Sequence, residues 1–115
     1  MDSRGQAAED LAASFLLRQG LELIERNYRC RFGEIDLIAR DGKTLVFVEV
    51  RMRARAEFGG AAESITAAKR LKLTRTARHY LTRLRPTPAC RFDALLLSAT
   101  SAVPEWVKNA FDEAL

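Results

Sequence analysis

Cysteine and histidine are scarce in this chain. Its 115 residues include two cysteines, Cys30 and Cys90, and one histidine, His79. The cysteines lack the paired spacing of a zinc site, and His79 alone cannot complete one with them. We therefore expect two free thiols, the usual state of cysteine in a reducing compartment.

Long apolar runs are also missing. No stretch approaches the roughly 18 apolar residues of a membrane span, and the polar N-terminus has no signal-peptide pattern. We therefore expect no membrane association and a cytoplasmic location. The composition, 48% hydrophobic and 30% charged, is that of an ordinary globular protein, and the length predicts a single domain over residues 1–115.

Acidic residues are fewer than basic ones, 15 against 19, and the excess of positive charge is concentrated in one predicted helix. The net charge is +4, which favours a polyanionic partner. Ser64 can cap a helix that runs to about Leu84, before Pro86 and Pro88. Between Lys69 and Arg85 there is no acid, and the cations of this run are Lys69, Arg70, Lys72, Arg75, Arg78, Arg83 and Arg85. Such a run of one sign lacks the pairs of opposite charges, four residues apart, that solvent-exposed helix faces normally have. Contact with nucleic acid is therefore favoured over an ordinary solvent-exposed surface.

The central pattern of the chain spans residues 33–53, GEIDLIARDGKTLVFVEVRMR. Residues typical of strands flank Asp41-Gly42, a turn dipeptide, which predicts a hairpin. Strand side chains alternate between faces, so the charged residues of each strand share one face. Carboxylates that meet across neighbouring strands repel each other unless a cation lies between them, and a divalent metal is the commonest such cation.

The loop of the hairpin decides whether these acids meet. A four-residue loop at 41–44 sets Asp36 opposite Glu49. A two-residue turn at 41–42 sets Glu34 opposite Glu49 instead, also on one face. A three-residue loop would separate Asp36 from Glu49 and remove the site.

The first segment, residues 2–19, has apolar residues at helical spacing and Gly20 as a C-terminal cap. The stripe consists of Ala8, Leu11, Ala12, Phe15 and Leu16. Glu9 is placed in the first turn of this helix, where a carboxylate also favours the helix dipole. Residues 21–30 predict a strand, and residues 54–63 predict a loop.

Lys69 is unusually placed for a surface residue. On a helical wheel it lies within the apolar stripe that faces the sheet. Either its stem packs there while the ammonium extends to solvent, or the ammonium reaches the carboxylates of the hairpin.

The last part of the chain predicts two further elements. Residues 91–98, RFDALLLS, are a strongly apolar strand, and its connection through a long helix implies parallel pairing with the second hairpin strand. Residues 103–115 predict a short strand or turn over the core edge and then a few helical residues.

The order helix, three strands, helix, strand matches the αβββαβ core of restriction-endonuclease-like nucleases, an α/β fold with a central mixed sheet flanked by helices. The chain also resembles, in more detail, the YraN-like family of small bacterial proteins, grouped with Holliday-junction-resolvase-like nucleases. The matching motifs are RGQAAEDLAASFL, RNYRCRFGEIDLIARD, VFVEVRMR, the dipeptide FG, Lys69, RFD and WVKNAF.

The resemblance implies a magnesium or manganese site and a set of functional residues. The implied metal ligands are Asp36, Glu49 and the carbonyl of Val50. The implied catalytic residues are Glu9, Asp36, Glu49, Arg51 and Lys69. We expect DNA contacts from Arg53, Arg55, Lys72, Arg75 and Arg78. The role of Glu34 stays open, although its face is right.

Arg51 departs from the family pattern, which usually has lysine at this position. Arginine stays protonated and cannot act as a base, although it can hold a phosphate.

Three functions are compatible with these residues. The first is a metal-dependent endonuclease acting on DNA, with a preference for branched or processed structures. The second is a nucleic-acid-binding module without cleavage. The third is a structural protein whose acids pair internally with Arg51, Arg53 and Lys69.

Junction resolvases act as dimers because their substrate has two strands to cut. A homodimer would need a self-complementary surface. Trp106 and Phe111 are candidates for that surface, with core packing as the alternative.

Overall fold

The computed structural model describes residues 3–53, 65–98 and 101–112. The chain forms a five-stranded mixed sheet, in the order β1-β2-β3-β4-β5, with two helices. The elements in chain order are α1 (Ser3–Arg18), β1 (Glu22–Cys30), β2 (Gly33–Asp41), β3 (Thr44–Arg53), α2 (Ala67–Leu81), β4 (Cys90–Ser98) and β5 (Ser101–Phe111). The first six give the predicted αβββαβ core of the restriction-endonuclease-like fold, and β5 extends it.

The two helices cover opposite faces of the sheet. Val46 and Val48 of β3 belong to the apolar cluster under α1, whereas Leu45 and Phe47 belong to the cluster under α2. Strand side chains alternate between faces, so these two clusters lie on the two sides of β3. Each face of the central sheet is therefore packed against one helix.

Helix α1 confirms the predicted first segment. It ends where Gly20 adopts a φ of +92°, and the N–H of Leu21 donates to the carbonyl of Leu16 at 3.0 Å. Two expectations about this helix are wrong. Leu11 is 62% exposed rather than buried in the stripe. The first turn holds no acidic residue, because α1 begins at Ser3, so the helix dipole does not explain Glu9.

The hairpin adopts the register in which Asp36 and Glu49 come together. Arg40 pairs with Leu45, as expected for the loop at 41–44, and the strands add one further pair, Asp41 with Thr44. The turn residues are therefore Gly42, with a φ of +61°, and Lys43, rather than Asp41-Gly42.

Helix α2 is shorter than predicted. Ser64 lies outside the described residues, and the N-cap is Thr66, whose hydroxyl accepts from the N–H of Lys69 at 3.1 Å. The helix ends at Leu81 rather than near Leu84.

Strand β4 pairs in parallel with β3, as predicted, and its residues 92–97 are buried. The short strand or turn predicted within residues 103–115 is the long antiparallel strand β5, which continues to Phe111, and residues 113–115 of the expected helical end lie outside the described residues. Phe111 stacks on Phe92 with ring centroids 4.5 Å apart, and Trp106 meets the edge of Phe15 at 5.9 Å. The core-packing alternative is thus confirmed for these two aromatic residues.

Both cysteines are free, as expected. Among the described residues, no helix is long and apolar enough to cross a membrane.

Candidate metal centre

The site lies where the pairing of β2 with β3 ends. The last pair is Leu37 with Val48, and the next residues are Asp36 and Glu49. The backbone N–H of Val50 donates to Asp36 Oδ2 at 2.8 Å. The Asp36 side chain thus accepts a hydrogen bond of the kind that a backbone carbonyl of a neighbouring strand accepts within a sheet. The carboxyl group of Glu49 is close enough to Asp36 to raise its pKa. Strand alternation together with the expected loop at 41–44 predicted this meeting on one face, and the observed register is the one that this loop gives.

The pairing of these carboxyls changes the acidity of Asp36. Burial, and next the hydrogen bond and the negative charge of Glu49, raise the pKa of Asp36 to about 7. The Val50 N–H and the positive charge of Lys69 act in the opposite direction. Without a further cation, the pair therefore holds a proton near neutral pH, and a bound cation would displace it.

Glu9 and Glu34 complete an acidic cluster around Asp36. One carboxylate oxygen from each of these three residues lies within 4.8 Å of the other two. Glu9 projects from α1, as expected from the resemblance, and Arg26 of β1 lies 3.8 Å from its carboxylate and 2.7 Å from that of Asp10. The three acids thus come from one strand, β2, and from helix α1, which is distant in sequence.

Glu34 is the member that the sequence left without a role. Its Oε2 forms an ion pair at 2.8 Å with Arg29 Nε, and the two side chains are 38% and 72% exposed. Exposed pairs of this kind add little stability, so this contact leaves Glu34 able to exchange partners. The motif RCRFGEID contains both Arg29 and Glu34. This motif was the available signal that Glu34 belongs to the site.

Lys69 reaches the acids from α2. Its Nζ lies 3.3 Å from Glu49 Oε2, while 42% of the lysine side chain remains exposed. The ammonium therefore contacts the carboxylate and solvent at once. Arg51 is half-buried and, among the described residues, forms no ion pair with an acid. The internal neutralisation predicted for the structural alternative thus rests on Lys69, since the side chain of Arg53 is not described.

The two buried acids of the sheet differ in how fully they are satisfied. Asp93 is 1% exposed, and its carboxylate accepts from Arg91 Nε at 3.0 Å, Trp106 Nε1 at 2.9 Å and the Asn109 N–H at 3.0 Å. Glu49 is 7% exposed, and its Oε2 faces the Lys69 ammonium at 3.3 Å but accepts no hydrogen bond within the part of the chain that the structure describes. Buried polar atoms without a partner are rare and costly.

The donor set fits a hard divalent cation. Magnesium takes oxygen ligands, including one or two carboxylates, and retains water. Glu9, Glu34 and Asp36 offer such oxygens within 4.8 Å of one another, and Glu49, outside this group of three, adds a buried oxygen that faces Lys69. Val50 engages the cluster through its N–H. Ligation by its carbonyl stays a prediction.

The residues expected to contact DNA are only partly described. Lys72, Arg75 and Arg78 are exposed on α2, the helix that also carries Lys69. Arg53 is the last residue of β3, and Arg55 lies outside the described residues. Lys69 of this basic helix forms an ion pair with Glu49 of β3, so the cations of α2 begin next to the acids of the sheet.

The chain matches the model of a protein family over residues 8–97. That model is described as "Uncharacterised protein family UPF0102". The chain belongs to this family. The matched span contains all residues of the acidic cluster and Lys69, so the family model covers the whole site.

Relatives in the UPF0102 family match nearly end to end. A UPF0102 protein of Nitrosomonas eutropha is 61% identical over 96% of this chain and 95% of its own length. A second, from Nitrosospira multiformis, is 59% identical over 95% of this chain and 92% of its own. A UPF0102 protein of Psychromonas ingrahamii is 52% identical over 97% and 92%. The YraN-like resemblance found in the motifs is this family.

Proposed function

We propose that this UPF0102 protein is a metal-dependent endonuclease that hydrolyses phosphodiester bonds in DNA in the cytoplasm. The observation that carries the proposal is the pair Asp36 and Glu49. Glu49 raises the pKa of its neighbour Asp36, and Glu49 Oε2 is buried with the Lys69 ammonium 3.3 Å away but with no hydrogen bond among the described residues. Such an arrangement is costly for a protein that keeps it empty, and a divalent cation relieves the cost.

Each acid has a distinct part in this proposal. Asp36 and Glu49 hold Mg²⁺ or Mn²⁺, and Glu9 and Glu34 complete the negative charge around it. The Val50 N–H orients the Asp36 carboxylate through its 2.8 Å hydrogen bond. When bound, the metal supplies positive charge that lowers the pKa of a water molecule and offsets charge that builds on the phosphate.

The cations beside the acids bind the substrate. The Lys69 ammonium, 3.3 Å from Glu49 Oε2, is close enough to the cluster to contact a phosphate oxygen held there. Arg51 lies two residues after Glu49 on β3, on the same strand face, and carries a permanent charge. Lys72, Arg75 and Arg78 give α2 the charge to hold neighbouring phosphates.

Arg51 favours a second candidate, a DNA-binding module without cleavage. If the reaction requires a neutral amine at position 51, arginine cannot supply it. In the nuclease proposal Lys69 provides the ammonium from α2. Lys69→Ala should then eliminate cleavage, whereas Arg51→Ala should only slow it.

The test is a cleavage assay on linear duplex, single-stranded and four-way-junction DNA with magnesium or manganese. We expect the wild type to cut, Asp36→Asn and Glu49→Gln to be inactive, and Arg51→Lys to match or exceed the wild type. Glu22→Gln is the matched control, because Glu22 is an exposed carboxylate of the sheet that pairs with Arg40 at 3.4 Å, away from the cluster. A wild type that binds DNA without cutting, with activity gained in Arg51→Lys, supports the second candidate. No cleavage and no binding by either protein leaves the structural alternative.

A further inference from the structure

The turn between β1 and β2 carries an aromatic surface that the proposed chemistry does not use. Its two residues are Arg31 and Phe32. The guanidinium carbon of Arg31 lies 4.8 Å from the centroid of the Phe32 ring, and the His79 ring of α2 meets Phe32 at 6.1 Å. Arg31 and His79 are exposed and Phe32 is half-buried, so part of the aromatic ring faces solvent.

This surface is held in place by packing on α2. A Cβ atom at Gly33 would lie 3.1 Å from Thr76 Oγ1 and 3.7 Å from Lys72 Cβ, so only glycine lets the turn approach the helix this closely. On the inner side, His79 Nδ1 is hydrogen-bonded to the hydroxyl of the buried Tyr28. The orientation of the His79 ring, and with it the edge against Phe32, is therefore fixed before any ligand binds.

The aromatic surface is next to the acidic cluster. Phe32 precedes Glu34 by two residues, which limits their Cα separation to about 7 Å, and it precedes Asp36 by four, about 13 Å along a strand. Stacked nucleotides of a duplex strand are about 3.4 Å apart, and unpaired nucleotides are more extended, so 13 Å corresponds to at most about four nucleotides. A strand cut at the cluster would therefore pass this turn a few nucleotides away.

The charges around the ring suit a nucleic acid strand. Arg31 lies over the ring, Lys72 of α2 approaches the turn at Gly33, and Arg29 on β1 and Arg75 on α2 belong to the same two elements; all four are exposed. Cations can hold the phosphates while the ring and the guanidinium plane receive a base, as in proteins that bind single strands. A paired base inside an intact duplex does not offer its face to such a surface.

We propose that Arg31, Phe32 and His79 form a stacking site for one unpaired base of the DNA strand that is cut at the acidic cluster. The proposal rests on the nuclease function above and names the substrate class, which is DNA with unpaired nucleotides within a few positions of the cut. The site selects forked, gapped or branched DNA over an intact duplex. Phe32 supplies the π-face, and Arg31 covers it in the absence of DNA.

The test compares binding of a forked DNA and an intact duplex of equal length, measured by fluorescence anisotropy in EDTA so that cleavage plays no part. We expect Phe32→Ala and Phe32→Leu to weaken fork binding by about 5- to 150-fold, the range found when one stacked base loses its aromatic partner. Duplex binding should stay unchanged. Phe32→Tyr should retain fork binding, because tyrosine keeps the ring, and Leu71→Ala, an exposed apolar residue on α2, is the matched control.

A second readout uses 2-aminopurine at each unpaired position of the fork in turn. We expect quenching by the wild type at one position within about four nucleotides of the cut, and none with Phe32→Leu, which keeps an apolar side chain against His79 but has no ring to stack. Equal losses on fork and duplex, or no loss with Phe32→Leu, would overturn the stacking site. That failure is distinct from failure of the nuclease proposal, which shows as no cleavage by the wild type whatever Phe32 does.

Discussion

The stability of the metal-free protein should decrease as the pH rises from about 4 to about 7, because Asp36 must lose a proton that the fold favours. The pKa of Asp36 is about 7 in the folded protein against 3.8 in a free side chain. Between these values the folded state binds more protons than the unfolded state, so the free energy of unfolding falls as the pH rises. Above about pH 7 the loss is complete.

The size of this loss follows from the shift. About three pH units at 1.36 kcal/mol each set an upper limit of about 4 kcal/mol, and water at the half-buried site reduces it to about 2–4 kcal/mol. The pH dependence of total stability sums over every titrating group of the chain. The informative quantity is therefore the difference between the wild type and Asp36→Asn, which mimics the protonated acid and keeps an oxygen for the Val50 N–H.

The assay is denaturation by urea between pH 4.5 and 8 in EDTA, followed by the fluorescence of Trp106. We expect Asp36→Asn to be close to the wild type at pH 4.5 and more stable by about 2–4 kcal/mol at pH 8. Glu22→Gln, at an exposed site, should give no comparable gain. A difference between the wild type and Asp36→Asn that stays constant across this range would refute the reasoning.

Three further predictions follow from single contacts. Thr66→Ala removes the side chain that accepts from the Lys69 N–H and should lower the free energy of unfolding by about 1 kcal/mol in urea, with Thr66→Ser close to the wild type. Replacing Arg75 and Arg78 together should weaken DNA binding and lower the slope of log affinity against log salt by roughly one unit per lost phosphate contact; an unchanged slope would make α2 an ordinary surface. Magnesium at pH 8 should raise the melting temperature of the wild type but not of Asp36→Asn; equal rises would place the ion elsewhere.

The sequence predicted the fold and the meeting of the acids because both depend on local patterns. Alternation along β2 and β3 fixed the faces of Asp36 and Glu49, and Gly20 marked the end of α1. The helical spacing around Lys69 correctly turned it toward the sheet, where it contacts Glu49.

The remaining features depend on contacts between distant segments. Glu34 could not be assigned a role, because its nearness to Glu9 arises only when α1 packs on the sheet. The pattern of residues 103–115 predicted only a short strand or turn before a few helical residues, but pairing with β4 continues the strand to Phe111. Arg31 and Phe32 were overlooked for the same reason, since their significance depends on His79, 47 positions later than Phe32 in the chain.

The central claim is that the acidic cluster binds a divalent metal, and a Mn²⁺ titration followed by electron paramagnetic resonance tests it most directly. We expect the wild type to bind Mn²⁺ at pH 7.5 and more weakly at pH 6, because the ion must displace the proton held by Asp36. Asp36→Asn and Glu49→Gln should lose this binding, and Glu22→Gln should keep it. Binding of Mn²⁺ that is equal in the wild type and in the Asp36→Asn, Glu49→Gln double variant would contradict the account.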